Sequence, residues 1–427
     1  MTEARIRRPE KQLSASTHAR EFSRNWFSEL RNAVIERGEP YVLASAETPH
    51  EIFEVMGLPV VTTEWWGGVL SAKKVAGEYL DLLNAEGFHQ GLGAYNSLGA
   101  TSLIVDHPSP PWGGLPPPAL MLAPHREQAN NRVYELVSEH LGAPYYSIEV
   151  PSSTRFFPNW YREARHNWED VYESHRIDLM HRQYRELCQL AEDITGRTFD
   201  PDALRSRLQR VNEQEDYFRQ AREIVAKAQK LPVRIAEQMS NTMTAQWHRG
   251  SDWAVAHARA FRDEVAARAE AGISVTPDEK TRLMWVGVGL WQNTDFYAAF
   301  EESHGAVFVW SMYMAIASDG YIREDLRDPL RALASRYLNI GEQMHVAPWA
   351  GEWLVHEART HRVDAAVMLV SSRQRHQVAG NNYQRMALEE AGIPVCELVV
   401  DPSDDRTWDE TVMRRKVIDF LEREKLS

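Results

Sequence analysis

A chain of 427 residues exceeds what one ordinary hydrophobic core organises, so two domains or a domain pair is expected. A hydrophobic fraction of 43% with 26% charged residues describes a globular chain, and no apolar run approaches the roughly 18 residues of a membrane span. A net charge of −13 gives no electrostatic footprint for nucleic acid, and two cysteines, Cys188 and Cys396, exclude both a disulfide framework and an all-cysteine metal site.

The opening "MTEARIRRPEKQLSASTHAREF" has no secretory apolar core, and Glu3, Glu10 and Glu21 run against a transit peptide, so a cytoplasmic location is expected. Residues 1–38 read as helical up to a stop at Gly38. Residues 39–155 alternate short apolar runs with helical patterns. The runs "YVLAS" (41–45), "PVVTT" (59–63), "TSLIVD" (101–106), "PALMLAP" (118–124) and "PYYSIEV" (144–150) are predicted strands. Amphipathic "SAKKVAGEYLDLLNAEG" and "EQANNRVYELVSEHLG" lie between them and end in glycine, as helices often do. The Pro-rich "DHPSPPWGGLPPPAL" (106–120) is too long for a plain connector and is a functional candidate.

Residues 156–278 lose the strand runs and carry i, i+3/i+4 patterning, a helical insert with charged solvated faces. From 279 the alternation returns. "RLMWVGVGL" (282–290), "AVFVWSMY" (306–313), "AAVMLVSS" (365–372) and "VCELVVD" (395–401) are predicted strands with helices between them. Short strands alternating with helices predict an α/β fold: two Rossmann-like or flavodoxin-like lobes with parallel sheets, 39–155 and 279–427, joined by the helical middle.

Several motifs bear on chemistry. "HEARTH" places His356 and His361 at i and i+5, about 140° apart on a helix, so the pair does not form the zinc-protease pattern, which needs i and i+4. "GVGLWQ" (287–292) has Gln292 where a dinucleotide fingerprint needs its third glycine, and Gly287 falls inside the predicted strand. In "AETPHEIFEVMGLP", Glu51 opens a helix at a strand's carboxyl end. It is either a macrodipole-stabilising acid or a general acid/base at a cleft. Trp65 and Trp66 of "TEWWGG", with Trp112, either wall an acyl pocket or serve packing. His248 and Arg249 of "QWHRGSDW" read as an anion contact or an exposed ion pair.

The order of "TPHEIFEVMGLPV", "LLNAEGFHQGLGAYNSLG", "PALMLAP…VYELVSEHLGAPYYSIEVP" and "DAAVMLVSS…MALEEAGIPVCELVVDPSD" resembles the 2-hydroxyacyl-CoA dehydratase and benzoyl-CoA reductase subunit family over about 40–424. The resemblance implies two α/β lobes facing a cleft, heterodimers of related subunits, acyl-CoA thioester substrates and a separate ATP-driven iron–sulfur activator. It also implies a [4Fe-4S] cluster held by three cysteines, one from each of three loops. Here those positions fall at Gly93, within Pro124 to Gln128, and at Ser372 or Arg373. None is a cysteine, and His125 and His376 alone do not make a conventional cluster site.

The expectation is therefore a cluster-free member that pairs with a paralogous subunit. Any cluster would sit in the partner, and neither nucleic acid nor membrane is a partner. Glu51, His50 and His376 are the candidate catalytic residues. Trp65, Trp66, Tyr95, Ser97, His125, Arg126, Ser372, Arg373 and Arg375 are the candidate substrate-binding residues, and no metal ligand is assigned. Arginine and imidazole donors at 373–376 suit a CoA phosphate, a thioester oxygen or a carboxylate. A non-catalytic scaffold subunit, a cluster-free lyase or hydratase, and a simple binding module remain open alternatives.

Overall fold

The structure is a computed structural model that describes residues 13–89, 91–125, 128–315, 322–373 and 378–426. Its architecture is α/β, with two four-stranded sheets whose strands are all parallel.

The first sheet contains β1 (Val42–Ala44), β2 (Val60–Thr62), β3 (Leu120–His125) and β4 (Tyr145–Glu149), in the spatial order β2-β1-β3-β4. The second contains β5 (Thr281–Val286), β6 (Ala306–Ser311), β7 (Ala365–Ser371) and β8 (Val395–Val400), in the order β6-β5-β7-β8. The two lobes thus share one strand order, that of flavodoxin-like doubly wound sheets. Every residue of β5 and β6 is buried, which explains why these strands read as unbroken apolar runs rather than alternating ones.

In lobe 1 the crossovers are α2 (His50–Val55), α3 (Thr63–Ala72), α4 (Ala76–Ala85), α5 (Ala94–Thr101) and α6 (Gln128–Leu141). The predicted strand at 101–106 is absent. Thr101 closes α5, and Leu103, Ile104 and Val105 follow as turns whose side chains pack on the lobe's two smaller apolar clusters. A short apolar run after a helix satisfies burial without joining a sheet, and periodicity cannot separate the two outcomes. Gly287 also departs from expectation, because it lies one residue past β5 at φ +106°. A Cβ there would stand 2.7 Å from the Leu369 carbonyl oxygen, so the glycine permits close approach of β5 and β7.

The middle region forms the helices Ser174–Thr195, Pro201–Lys227, Ile235–Gln246 and Asp252–Glu270. Asp200 and Ser251 cap two of them through the N–H groups of Asp202 and Ala254. Helix α1 (Ser14–Arg37) is anchored on this region. The Leu13 N–H donates to Glu237 at 2.7 Å, and the Ser14 and Ala15 N–H groups donate to Glu264 at 3.0 and 2.9 Å. Those are the orphan donors of a helix start. Among the described residues no helix is long and apolar enough to cross a membrane.

Candidate functional site

The carboxyl ends of the two sheets face each other. Tyr95 of α5 and Tyr313, two residues past β6, meet hydroxyl to hydroxyl at 3.3 Å, and the Trp291 side chain also hydrogen-bonds Tyr95. Glu47, just after β1, lies 3.3 Å from His345 Nε2 at the end of the helix Pro329–His345. The Ala94 N–H reaches Asp401 Oδ2 at 3.3 Å, and Asp401 also accepts from the N–H groups of Ser403 and Asp404. The crevice therefore lies where β1 and β3, and β5 and β7, send their connections in opposite directions, the position open α/β sheets use for ligands.

Glu64 belongs to lobe 1. It sits in the first turn of α3, half-buried, and accepts from Ser45 Oγ at 2.8 Å, the Ala46 N–H at 2.7 Å and Thr63 Oγ1 at 2.9 Å. Burial pushes its carboxyl above the usual range, against these donors. Its charge is felt by Tyr95, Tyr134 and Tyr313. A carboxyl raised by burial and in electrostatic reach of two buried interlobe hydroxyls is suited to acid/base exchange. Sequence reasoning missed it: in "TEWW" an acid in a helix's first turn reads as a macrodipole partner.

Glu51 and His50 are instead sealed in the junction between α2 and the middle region, 0% and 1% exposed. Glu51 accepts from the Tyr337 hydroxyl at 2.9 Å and lies 3.3 Å from Arg249 Nε. Burial alone would raise its carboxyl, but Arg249 and Arg336 outweigh that and hold it below the usual range. His50 Nε2 contacts the Ser45 carbonyl at 3.0 Å, while Arg249 reaches its Nδ1 at 3.2 Å. His248 and Arg249 are thus buried rather than exposed, which corrects the exposed-pair reading.

A family model described as 2-hydroxyglutaryl-CoA dehydratase, D-component, matches residues 46–423. The chain belongs to that family. No curated protein matches it.

The cluster that the family resemblance implies finds no matching donor set among the described residues. No group of three or more His, Cys, Asp or Glu side chains there could hold a metal ion. Cys188 lies on the helix Ser174–Thr195 and Cys396 on β8, both buried, and burial pushes their thiols up to about 12 and about 11. Gly93 precedes α5 beside Asp401, and Arg373 is paired with Asp404 at 2.9 Å. Asp404 in turn holds Arg406, which bridges to Asp81 of lobe 1 at 2.7 Å. Two of the three loop positions of this dehydratase-family chain therefore join an interlobe polar latch.

The remaining candidates fall as follows. Ser97 donates to the Gly93 carbonyl at 2.7 Å, steadying that loop. His125, at the end of β3, pairs with Glu149 of β4 at 2.5 Å. Ser372 is exposed just past β7. Trp65, Trp66 and Trp112 do converge, with ring centroids 5.9–6.3 Å apart, and Phe27 of α1 packs into the same cluster. Trp66 is 0% exposed and donates to Ser102 Oγ, a packing arrangement that pins α1 to lobe 1. Arg126, Arg375 and His376 lie outside the described residues.

Proposed function

We propose that this chain is a cluster-free subunit of a 2-hydroxyacyl-CoA dehydratase-type complex. It pairs with a related chain and binds an acyl-CoA thioester in the interlobe crevice, where acid/base chemistry is carried out by Glu64. The observation that carries this reading is the Glu64 carboxylate, fixed by Ser45, Ala46 and Thr63, whose charge acts on the hydroxyls of the Tyr95–Tyr313 pair. A raised carboxyl is a stronger base when ionised. A tyrosine hydroxyl directed at a thioester oxygen stabilises negative charge developing there when Glu64 removes the α-proton. Glu47 and His345 form a second acid–imidazole pair between the lobes. Glu51 and His50 are assigned a positioning role, since they hold α2, and with it the Ser45–Glu47 turn, against the middle region. Any iron–sulfur centre, and any need for an ATP-driven activator, belongs to the partner.

The test is wash-out of deuterium from the α-position of deuterated butyryl-CoA by the purified chain, followed by NMR. Exchange that falls on the order of a hundredfold or more in Glu64→Gln supports the reading. Equal exchange by the variant sinks it. The scaffold reading is favoured by the way Arg373 and the Gly93 loop tie into the Asp401–Asp404 latch. Unchanged turnover of the assembled complex with Glu64→Gln would decide for it.

A further inference from the structure

The two sheets end in four outer strands, and three of them are covered. Strands β2 and β6 are buried at every residue. Along β4, the outward N–H and carbonyl of Glu149 are taken up at 2.7 and 2.8 Å by the side-chain amide of Gln183, from the helix Ser174–Thr195. The fourth, β8, has no such cover. The Ala366 N–H donates to the Pro394 carbonyl at 2.9 Å and the Ser372 N–H to the Val400 carbonyl at 3.1 Å, in an unbroken register. Alternate residues of a strand point their peptide groups to opposite sides. Cys396, Leu398 and Val400 therefore serve β7, while Val395, Glu397 and Val399 turn their N–H and C=O groups away from it. Among the described residues those outward groups have no partner.

An open edge of this kind is a template for another strand, and the side chains beside it select which one. Val399 is 54% exposed, and Met386 and Tyr383 of the neighbouring helix Asn381–Glu390 are 46% and 65% exposed. The edge opens into a groove of about 310 Å³. Its charged walls are Arg385 and Glu389 of that helix, with Lys416 and Arg423 of the closing helix Glu410–Arg423. Arg385 lies 3.2 Å from Glu397 and 2.9 Å from Glu389. Base and acid thus stand one turn apart on one helix, a pattern that complements its own copy when that copy runs antiparallel. A two-fold axis normal to the sheet through Glu397 would set Val395 against Val399 of the second copy, and Arg385 toward Glu389 of the second copy. Each Glu397 would stay neutralised by its own Arg385.

We propose that β8 pairs antiparallel with β8 of a second copy of this chain, joining two four-stranded sheets into one of eight strands. The outward peptide groups of Val395, Glu397 and Val399 then find partners in the other copy, and Val399 leaves water against Val395. The pairing does not rest on the acyl-CoA reading. The crevice lies at the carboxyl ends of the strands, whereas this contact runs along their side, so the two crevices stay open at opposite ends of the joined sheet.

Sedimentation equilibrium of the full chain at micromolar concentration tests it. The native chain is expected to be a dimer. Val399→Lys puts an unpaired ammonium into the pairing face at a position exposed in the single chain. It should raise the dimer dissociation constant about tenfold or more, with the far-UV dichroism unchanged. Glu397→Pro removes an outward N–H that the β7 ladder does not use, and should do the same. Ile35→Lys, at an equally exposed apolar position on α1, should leave the dimer intact. If Glu397→Pro alters the dichroism, Val399→Lys decides alone. A native chain that sediments as a monomer overturns the proposal. So does a dimer that survives Val399→Lys, since its interface then lies on another surface.

Discussion

Arg249 Nε stands 3.3 Å from Glu51 Oε1, with side chains 2% and 0% exposed. One residue belongs to the middle region and the other to the first helix of lobe 1, so the pair fastens the two across 198 positions of sequence. Removing one partner of a buried pair leaves a desolvated charge, at a typical cost of about 3–5 kcal/mol. Arg249→Met is expected to lose stability of that order in urea unfolding. Glu51→Gln, which leaves Arg249 and Arg336 facing each other without the carboxylate, should lose a similar amount. Its exchange activity per folded molecule should fall modestly, as for a positioning residue, and far less than in Glu64→Gln. A collapse of activity with stability intact would instead restore Glu51 as the acid/base.

Acid sensitivity follows from three buried imidazoles. Burial pulls His50 down to about 4, His248 to about 3 and His257 to about 4, from an ordinary 6.5. In the unfolded chain each protonates as pH falls below about 6.5, while in the folded chain each stays neutral. Their contribution is therefore present above that value and is lost as pH falls through the folded values. His50 shows why neutrality matters. Its Nε2–H serves the Ser45 carbonyl and its bare Nδ1 accepts from Arg249, so a second proton breaks the Arg249 contact. Urea midpoints should drop between pH 7 and pH 5, and His50→Asn should make that drop shallower. A midpoint flat across this window would refute the assignment.

Glu215 carries the opposite sign. Burial raises its carboxyl to about 8 from 4.5, although its Oε1 accepts from Gln246 at 2.6 Å and Gln214 at 3.2 Å. A group with a raised folded value favours the folded state fully below its unfolded value and loses that contribution as pH rises through the folded one. Stability from this residue should thus fade between about pH 4.5 and about pH 8. Glu215→Gln keeps a neutral side chain in the same place. Its stability should decline less than the native chain's over that window, and parallel curves would show that Glu215 is ionised when folded.

The lobes were legible because parallel strands covered on both faces leave continuous apolar runs, and β5 and β6 are buried at every position. The crevice was less legible. "AVFVWSMY" reads as one strand, but β6 ends at Ser311, and that end is what sets Tyr313 beside Tyr95. Glu47 and His345 lie 298 residues apart, and no spacing rule links them. Glu51 was prominent for a true reason, its place at a strand's carboxyl end. Whether such an acid turns toward solvent or into a junction depends on Arg249 and Tyr337, which come from other segments. The Gly93 and Arg373 loops fell at informative positions, but their use as a latch depends on Asp401 and Asp404, which no metal motif contains.

Neighbouring glycines on α3 give a last test of how the crevice is held. At Gly67 a Cβ would lie 2.7 Å from the Tyr95 carbonyl oxygen, a backbone atom that cannot swing aside. Across the same contact, a Cβ on Gly99 of α5 would come within 2.5 Å of Thr63 Cα. The helices α3 and α5 thus touch backbone to backbone, and this contact brings Glu64, next to Thr63, within electrostatic reach of Tyr95. Gly68, one residue along, meets nothing nearer than the Trp291 ring at 3.9 Å. Gly67→Ala should therefore cost about 1–3 kcal/mol through overpacking and reduce α-proton exchange, because α3 must retreat from α5. Gly68→Ala should stabilise by roughly 0.5–1 kcal/mol, since alanine gives up less backbone freedom in a helix, and exchange should be unchanged. Thermal unfolding and the NMR assay read both effects. If the two substitutions behave alike, the close approach of α3 and α5 does not set the geometry of the site.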